Sequence, residues 1–106
     1  MISESTIQAM ATKLGEAFQP DCILLFGSQA RGDAGEFSDV DFLVVTQTDL
    51  PKPQRSVAMY RLLRDFNLPV DILVYTPQEV ADYRALPQSL IWRAFLEGHM
   101  LYEKSA

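Results

Sequence analysis

Two short apolar runs, separated by a Gly-Ser turn and a polar segment, constrain this chain more than any other feature. They lie in residues 24–45, LLFGSQARGDAGEFSDVDFLVV. Runs this short and this apolar are typical of strands buried in a sheet that helices cover. Successive side chains of a strand point to opposite faces, so Asp39 and Asp41 are expected to project from the same face. The segment therefore predicts two buried strands and a pair of carboxylates close to the turn.

The two carboxylates and the turn together predict a site for a charged ligand. Two like charges held close together repel unless a cation lies between them. Mg²⁺ prefers oxygen ligands and commonly takes one or two carboxylates together with substrate phosphates. Backbone amides at a turn such as Gly27-Ser28, together with the serine hydroxyl, can bind phosphate. A phosphate-binding turn opposite a metal-binding carboxylate pair is typical of a nucleotide site.

A third carboxylate, Asp71, lies within a later apolar run, residues 70–74. A charged side chain in such a run is costly unless it has a partner. If this run forms the strand beside Asp39 and Asp41, the three aspartates make one cluster. The alternative interpretation is that these carboxylates face water at strand ends, although aspartate is depleted in strands.

Helical and extended patterns alternate along the rest of the chain. Apolar residues at helical spacing predict a first helix that begins at Ser5, with Gln8 as its capping-box partner, and ends at residues 19–21. The predicted inner face of a later helix consists of Val57, Tyr60, Leu63 and Phe66. The other predicted elements are strands at 23–26, 40–46, 70–75 and 100–102, and helices from about 29, over 54–66, from 77 and over 87–97. This alternation predicts an α/β fold, with a short mixed β-sheet flanked by helices, in a single domain of residues 1–106.

The residues around the turn match the pattern of a known family. The matching positions are Gly27, Ser28, Ala30, Arg31, Gly32, Ser38, Asp39 and Asp41. In these residues and their spacing the chain resembles the minimal nucleotidyltransferases, small members of the DNA polymerase β-like superfamily. Residues 69–74 and 97–103 also resemble later segments of that family. The resemblance implies a nucleotidyltransferase fold in which Asp39, Asp41 and Asp71 bind two Mg²⁺ ions, and in which Asp71 activates the acceptor hydroxyl.

The same resemblance implies nucleotide-binding roles for residues beside the aspartates. Gly27 and Ser28 would contact the β- and γ-phosphates, whereas the alternative is an ordinary strand-to-helix turn with a serine cap. Arg31 is expected either to reach the triphosphate or to pair with a nearby acid, and both remain open. Ser38 is included in this set, although a local hydrogen bond that orients the aspartates is favoured for it.

The charge and composition of the chain exclude several classes of function. The net charge is −5 and the pI about 4.6, so a broad basic surface for DNA or RNA is not expected and long nucleic acid is a poor acceptor. No apolar run approaches the roughly 20 residues that span a bilayer, and the N-terminus lacks a signal-peptide pattern, which indicates a cytoplasmic protein without membrane attachment. The single cysteine, Cys22, is expected to be a reduced core residue.

The resemblance therefore implies a Mg²⁺-dependent enzyme that transfers AMP from ATP to a hydroxyl and releases pyrophosphate. It further implies the antitoxin of a toxin–antitoxin pair, whose partner is a HEPN-domain ribonuclease adenylylated on tyrosine. A homo- or hetero-oligomer would supply the acceptor surface that larger relatives carry in a second domain. The alternative is a non-catalytic nucleotide-binding module that neutralises its partner by binding alone. A small-molecule transferase, of the kind that inactivates aminoglycosides, is a third hypothesis and needs a second domain or a dimer cleft.

Overall fold

The computed structural model describes residues 2–35 and 38–104, and these contain five α-helices and four strands. Two short 3-10 turns, Lys52–Gln54 and Arg64–Phe66, flank the third helix. In chain order the elements are α1 (Glu4–Phe18), β1 (Cys22–Phe26), α2 (Ser28–Arg31), β2 (Val40–Val45), α3 (Val57–Leu63), β3 (Val70–Tyr75), α4 (Pro77–Tyr83), α5 (Leu90–Glu97) and β4 (His99–Glu103). Among these helices none is both long enough and apolar enough to cross a membrane.

The four strands form one mixed sheet in the order β3-β2-β1-β4. Strand β1 pairs antiparallel with both β2 and β4, whereas β2 and β3 are parallel. A parallel pair needs a crossover connection, which the segment containing α3 provides. The predicted α/β fold with a short mixed sheet is confirmed, and so is the edge strand expected near the C-terminus.

Helices cover both faces of the sheet, and each face has its own apolar cluster. The cluster shared with α1 and α3 contains Ile7, Met10, Ala11, Leu14, Ile23, Leu25, Val40, Phe42, Val44, Met59, Leu63, Ile72 and Val74. The cluster shared with α4 and α5 contains Leu24, Leu43, Val45, Val80, Ile91 and Ala94. Neighbouring residues of β2 alternate between the two clusters, as the period of a strand requires. Because β1 and β2 are covered on both faces, their sequences are almost wholly apolar.

The start of α1 corrects the sequence prediction. The helix begins at Glu4, and its N-cap is Ser3, which has an extended backbone and whose hydroxyl accepts the Thr6 N–H at 3.3 Å. Ser5 lies inside the first turn, and Gln8 donates to the Leu101 carbonyl at 3.0 Å. The predicted capping pair was wrong because Ser3 is an equally good cap and places an acidic residue, Glu4, in the first turn, where the helix dipole favours it.

The helix predicted over 54–66 is shorter, and its buried face differs. Only Val57–Leu63 is α-helical, and Met59 and Leu63 are its buried residues. Val57 is 44% and Tyr60 39% exposed, so their assignment to the inner face was wrong. A helix of two turns packs through one narrow i, i+4 stripe, which leaves Tyr60 free to reach the edge of the sheet. The last helix also begins later than predicted, because Ser89 caps it by accepting the Trp92 N–H at 3.0 Å.

Candidate active site

Gly27 directly follows β1 and has a backbone conformation that other residues do not tolerate. Its φ is 75° and its ψ −158°, a region that is essentially restricted to glycine. A Cβ at this position would also overlap Asp41 Oδ2. The absence of a side chain therefore lets the turn and the carboxylate of the neighbouring strand lie against each other.

Ser28 follows as the first residue of α2, and Gly27 is the N-cap of that helix. No side chain caps α2 among the described residues, so the serine is not a helix cap here. The carbonyl of Gly27 accepts the amides of Ala30 and Arg31, both at 3.1 Å. Since the first amides of a helix have no intrahelical acceptor, the turn presents polar hydrogens beside the carboxylates.

The sheet brings the predicted aspartates together at one end of β2 and β3. Asp41 and Asp71 are direct partners in the parallel ladder, so their side chains leave the same face of neighbouring strands. Asp39 lies just before β2 and is exposed, as is Asp71, whereas Asp41 is partly buried. Strand pairing therefore places Asp71 beside Asp41, and a cluster of all three aspartates stays a prediction.

The pKa of the Asp41 carboxyl reflects the nearby carboxylates. Burial raises the pKa of its carboxyl above the ordinary value, and the negative charges of Asp71 and then Asp39 raise it further. Arg31 opposes the effect without cancelling it. A carboxylate whose neighbours are two other carboxylates is stabilised by a cation placed among them.

The donor set suits a divalent cation, although its side chains are not arranged as a closed cage. Within residues 2–35 and 38–104, no three acidic, histidine or cysteine side chains lie in a metal-holding arrangement. The chemistry of three aspartates with oxygen ligands nevertheless matches Mg²⁺, which keeps waters and phosphate oxygens in its coordination sphere.

Arg31 pairs with acids in this structure. Its guanidinium contacts Asp33 at 3.1 Å and Glu97, at the end of α5, at 3.2 Å. These two hydrogen bonds, the first to Asp33 and the second to Glu97, raise the pKa of the arginine. The side chain is 42% exposed. Of the two expectations for Arg31, pairing with acids is therefore observed, and contact with a triphosphate stays a prediction.

Ser38 and Gln29 make contacts immediately before Asp39. The Ser38 hydroxyl accepts the Gly35 N–H at 2.9 Å and, among the described contacts, makes no bond to an aspartate. Gln29 is buried on α2, and its amide donates to the Ser38 carbonyl at 3.2 Å. This link between α2 and the residue before Asp39 was missed, because a glutamine between serine and alanine carries no sequence signal for burial.

Tyr60 is a second residue that sequence reasoning missed. Its hydroxyl donates to Asp71 Oδ1 at 3.2 Å and accepts the Ile72 N–H at 2.8 Å. Burial is the largest influence that raises the pKa of this hydroxyl, and Asp71 raises it too, although the Ile72 N–H acts in the opposite direction. The phenol is therefore protonated at neutral pH and is a hydrogen-bond donor to Asp71.

A sizeable cavity lies apart from the aspartates. It has a volume of about 580 Å³ and is enclosed by the first turns of α1, by α2 and by the beginning of β4. Gln29 and Arg31 contribute to its wall, but Asp39, Asp41 and Asp71 do not. The aspartates instead occupy an open position at the end of the sheet, where a charged ligand has free access.

Comparison with known families agrees with this geometry. A family model described as polymerase beta, nucleotidyltransferase, matches residues 8–106. The chain belongs to this nucleotidyltransferase family, and the resemblance inferred from the turn and the aspartates is confirmed.

The chain is also similar to a curated relative and to solved structures. A Methanocaldococcus jannaschii protein, provisionally named protein adenylyltransferase MJ1305, is 52% identical over 46 residues, which are 43% of this chain and 29% of that protein. This chain thus spans less than a third of that relative. A toxin–antitoxin structure with AMP-PNP has a TM-score of 0.66 at 22% identity, over 92% of this chain and 74% of that one. A Shewanella oneidensis complex of a tri-AMPylated HEPN toxin with its MNT antitoxin has a TM-score of 0.58 at 19% identity, over 92% and 72%. Both structures share the fold.

Proposed function

We propose that this chain is a Mg²⁺-dependent nucleotidyltransferase that moves AMP from ATP to a hydroxyl of a partner protein. The observation that carries the proposal is the side-by-side placement of Asp41 and Asp71 on neighbouring parallel strands. Gly27 adds to it, because its backbone lies against the Asp41 carboxylate and leaves no side chain in the way. With no side chain at Gly27, the Asp41 carboxylate would stay accessible to a cation and a phosphate chain.

In this proposal Asp39, Asp41 and Asp71 hold the metal, and two Mg²⁺ ions are expected. When bound, such ions neutralise the phosphate charge and stabilise the attacking and leaving oxygens. The raised pKa of Asp41 supports this role, because the crowding that causes it is relieved by a cation. Gly27 and Ser28 would contact the phosphates, Arg31 would exchange an acid for the triphosphate, and Ser38 would keep the loop before Asp39 in place.

The transfer itself needs a base and an acceptor. Asp71 takes the proton of the acceptor hydroxyl, the freed oxygen bonds to the α-phosphorus, and the bond from that phosphorus to the bridging oxygen breaks. Pyrophosphate leaves with the electron pair. Positioned bases contribute about 10²–10⁴-fold to such steps. Asp71 is the most exposed to solvent of the ladder pair, which suits a group that meets an incoming protein.

A protein acceptor, a HEPN-domain toxin, is proposed from three observations, and the choice of a tyrosine as its acceptor residue follows from the family resemblance alone. The relative is provisionally named for protein adenylylation, and the two solved structures are toxin–antitoxin complexes, one with an AMPylated HEPN toxin. The net charge of −5 disfavours RNA as a competing acceptor. The chain would then be the antitoxin of a cytoplasmic pair, assembled with its toxin.

The test is label transfer in the presence of the partner. The full chain is incubated with Mg²⁺, ATP labelled at the α-phosphate and a HEPN-domain protein from the same genome. Label is expected on the partner, lost with Asp41→Asn, and retained with Asp49→Asn, a charge-matched control on an exposed loop. If the Asp39→Asn/Asp41→Asn double variant still neutralises the toxin, binding alone suffices. Absence of label on any protein or RNA would contradict the proposed activity.

A further inference from the structure

The Tyr60 hydroxyl lies between the backbone of β3 and the carboxylate of Asp71. Strand β3 is at one edge of the sheet, and Tyr60 reaches it from α3. The phenolic oxygen accepts the Ile72 N–H at 2.8 Å and donates to Asp71 Oδ1 at 3.2 Å. These two bonds attach the side chain of Asp71 to the backbone of its own strand through a third residue.

The Ile72 N–H, which donates to the Tyr60 oxygen, restricts the orientation of the hydroxyl. A phenol has a single proton, and once a backbone N–H occupies one lone pair, that proton has a restricted direction. Here it points to Asp71 Oδ1, which is an acceptor when the carboxylate is ionised. Because Oδ1 accepts this hydrogen bond, the rotation of the Asp71 carboxylate is restricted.

The hydrogen bond from Tyr60 to Asp71 counteracts the electrostatic repulsion between Asp71 and Asp41. Asp41 and Asp71 are direct ladder partners, and their negative charges favour separation. An unrestrained Asp71 would turn towards solvent, where its charge is better hydrated and further from Asp41. A hydrogen bond from a fixed donor limits this movement and keeps the carboxylate beside its partner. Groups that hold metal-binding carboxylates in this manner commonly change metal affinity when removed.

We infer that Tyr60 is a positioning residue that holds Asp71 in the orientation required to bind a divalent cation together with Asp41. The inference rests on the proposed function, because that function makes Asp71 a metal ligand. Tyr60 does not contact the cation or the nucleotide in this role. It acts only through Asp71.

The test measures metal affinity rather than turnover. The full chain, without nucleotide, is titrated with Mn²⁺, and the free ion is followed by electron paramagnetic resonance. Tyr60→Phe removes only the hydroxyl and is expected to weaken Mn²⁺ binding about tenfold. Tyr83→Phe is the matched control, because Tyr83 is similarly exposed, at 43%, but lies on α4. It should leave the affinity unchanged.

A double-mutant cycle separates positioning from general destabilisation. In an Asp71→Asn background Tyr60→Phe should cause no further loss of Mn²⁺ affinity, because the residue acts through the carboxylate. Urea unfolding in chelator reports the structural cost of leaving the Ile72 N–H without its acceptor. Should Tyr60→Phe be partly unfolded, the titration is repeated in trimethylamine N-oxide, which favours the compact state.

Each outcome decides the inference. Unchanged Mn²⁺ affinity in Tyr60→Phe, or an equal loss in the Asp71→Asn background, overturns it. If Asp41→Asn abolishes Mn²⁺ binding while Tyr60→Phe does not alter it, only the role of Tyr60 fails and the proposed function stands. If the unmodified chain binds no Mn²⁺, both fail. A Tyr60-dependent affinity without any label transfer would retain the positioning role and remove the proposed transfer reaction.

Discussion

Gly27 is the residue at which backbone and side-chain constraints coincide. Its positive φ is strained for other residues, and a Cβ would overlap Asp41 Oδ2. Gly32 also has a positive φ, 82°, but open space surrounds the position of its missing Cβ. The two glycines therefore separate the cost of backbone strain from the cost of contact with the carboxylate.

We expect Gly27→Ala to lower the free energy of unfolding by about 3 kcal/mol or more, and Gly32→Ala by about 1 kcal/mol. Only Gly27→Ala should also displace Asp41 and abolish stabilisation by Mg²⁺ and ATP. Urea unfolding with and without the ligands measures both effects. Equal costs for the two variants would show that contact with Asp41 is unimportant.

Ser28 is expected to act on the nucleotide and not on folding, since α2 has no side-chain cap. Ser28→Ala should weaken ATP binding by about 2 kcal/mol, as for a lost hydrogen bond to a charged group. Ser89→Ala is the opposite control, because Ser89 caps α5 and should cost about 1 kcal/mol of stability with ATP affinity intact. Calorimetric titration and urea unfolding give the two quantities. A Ser28→Ala variant that mainly unfolds would assign the serine a structural role.

The ionised carboxylate of Asp41 is expected to lower the free energy of unfolding in the absence of metal. Because its folded pKa lies above the ordinary 3.8, the free energy of unfolding falls as the pH rises through the window between the two values. Asp41→Asn should therefore raise the melting temperature at pH 7 in chelator, with the difference vanishing below about pH 3.8, and should lose the increase caused by Mg²⁺ and ATP. Asp49→Asn serves as control. A lower melting temperature at pH 7 would contradict this assignment.

At the scale of single elements, α4 begins with a capping box formed by Thr76 and Glu79. Thr76 Oγ1 accepts the Glu79 N–H at 3.2 Å, and Glu79 Oε1 accepts the Thr76 N–H at 2.8 Å. Tertiary structure adds Arg55, which donates to the same Glu79 oxygen at 2.7 Å and to the Val74 carbonyl at 3.2 Å. The Thr76 amide first, and Arg55 after it, lower the pKa of Glu79.

Thr76→Ala should lower the free energy of unfolding by about 1 kcal/mol, whereas Thr12→Ala, on the exposed side of α1, should not lower it.

The lowered pKa of Glu79 predicts a pH dependence of stability. A carboxyl group whose pKa is lower in the folded than in the unfolded state stabilises the fold at a pH above its unfolded pKa, and this stabilisation is lost as the pH falls through its folded pKa. Unfolding free energy should thus decrease below about pH 4.5, and Glu79→Gln should weaken this dependence. Unfolding at pH 7 and pH 4 measures both. An unaltered pH profile in Glu79→Gln would contradict the contribution of this carboxylate.

At the scale of the whole molecule, the mixed sheet determines where the chemistry lies. Residues that are far apart in sequence, Asp41 and Asp71, become ladder partners because β2 and β3 are parallel. Arg31 links α2 to the end of α5, and Gln29 links α2 to the loop before Asp39. The turn, the aspartates and the two helices therefore form one connected unit at the end of the sheet.

The whole-molecule charge gives a further prediction. With a net charge of −5 the chain should not retain single-stranded RNA or duplex DNA at about 0.15 M salt, because polyanion affinity depends on phosphate neutralisation. Filter binding measures this, and ATP with Mg²⁺ should bind under the same conditions. Retention of RNA at micromolar protein would reopen nucleic acid as an acceptor.

Local features of the fold were predictable where the physical cause is local. The strand 70–75 and the helix from residue 77 follow from the pattern of neighbouring residues in the sequence. The start of α1 was misplaced because two serines compete as caps within that same short range. Whether a segment is a helix or a strand could thus be predicted from the periodicity of its apolar residues. Where a helix begins could not, because several residues of similar capping ability lie close together.

The sequence by itself determined the family and the strand–turn–strand core and predicted the three aspartates, because the Gly-Ser turn and the Asp39–Asp41 spacing are local patterns. The tertiary structure decided which residues from other elements make contacts at and around the aspartates. Tyr60 contacts Asp71, Gln29 anchors the loop before Asp39, and Arg31 pairs with Glu97. Each of these contacts joins separate elements, and its existence depends on sheet order and helix packing, which no local periodicity encodes.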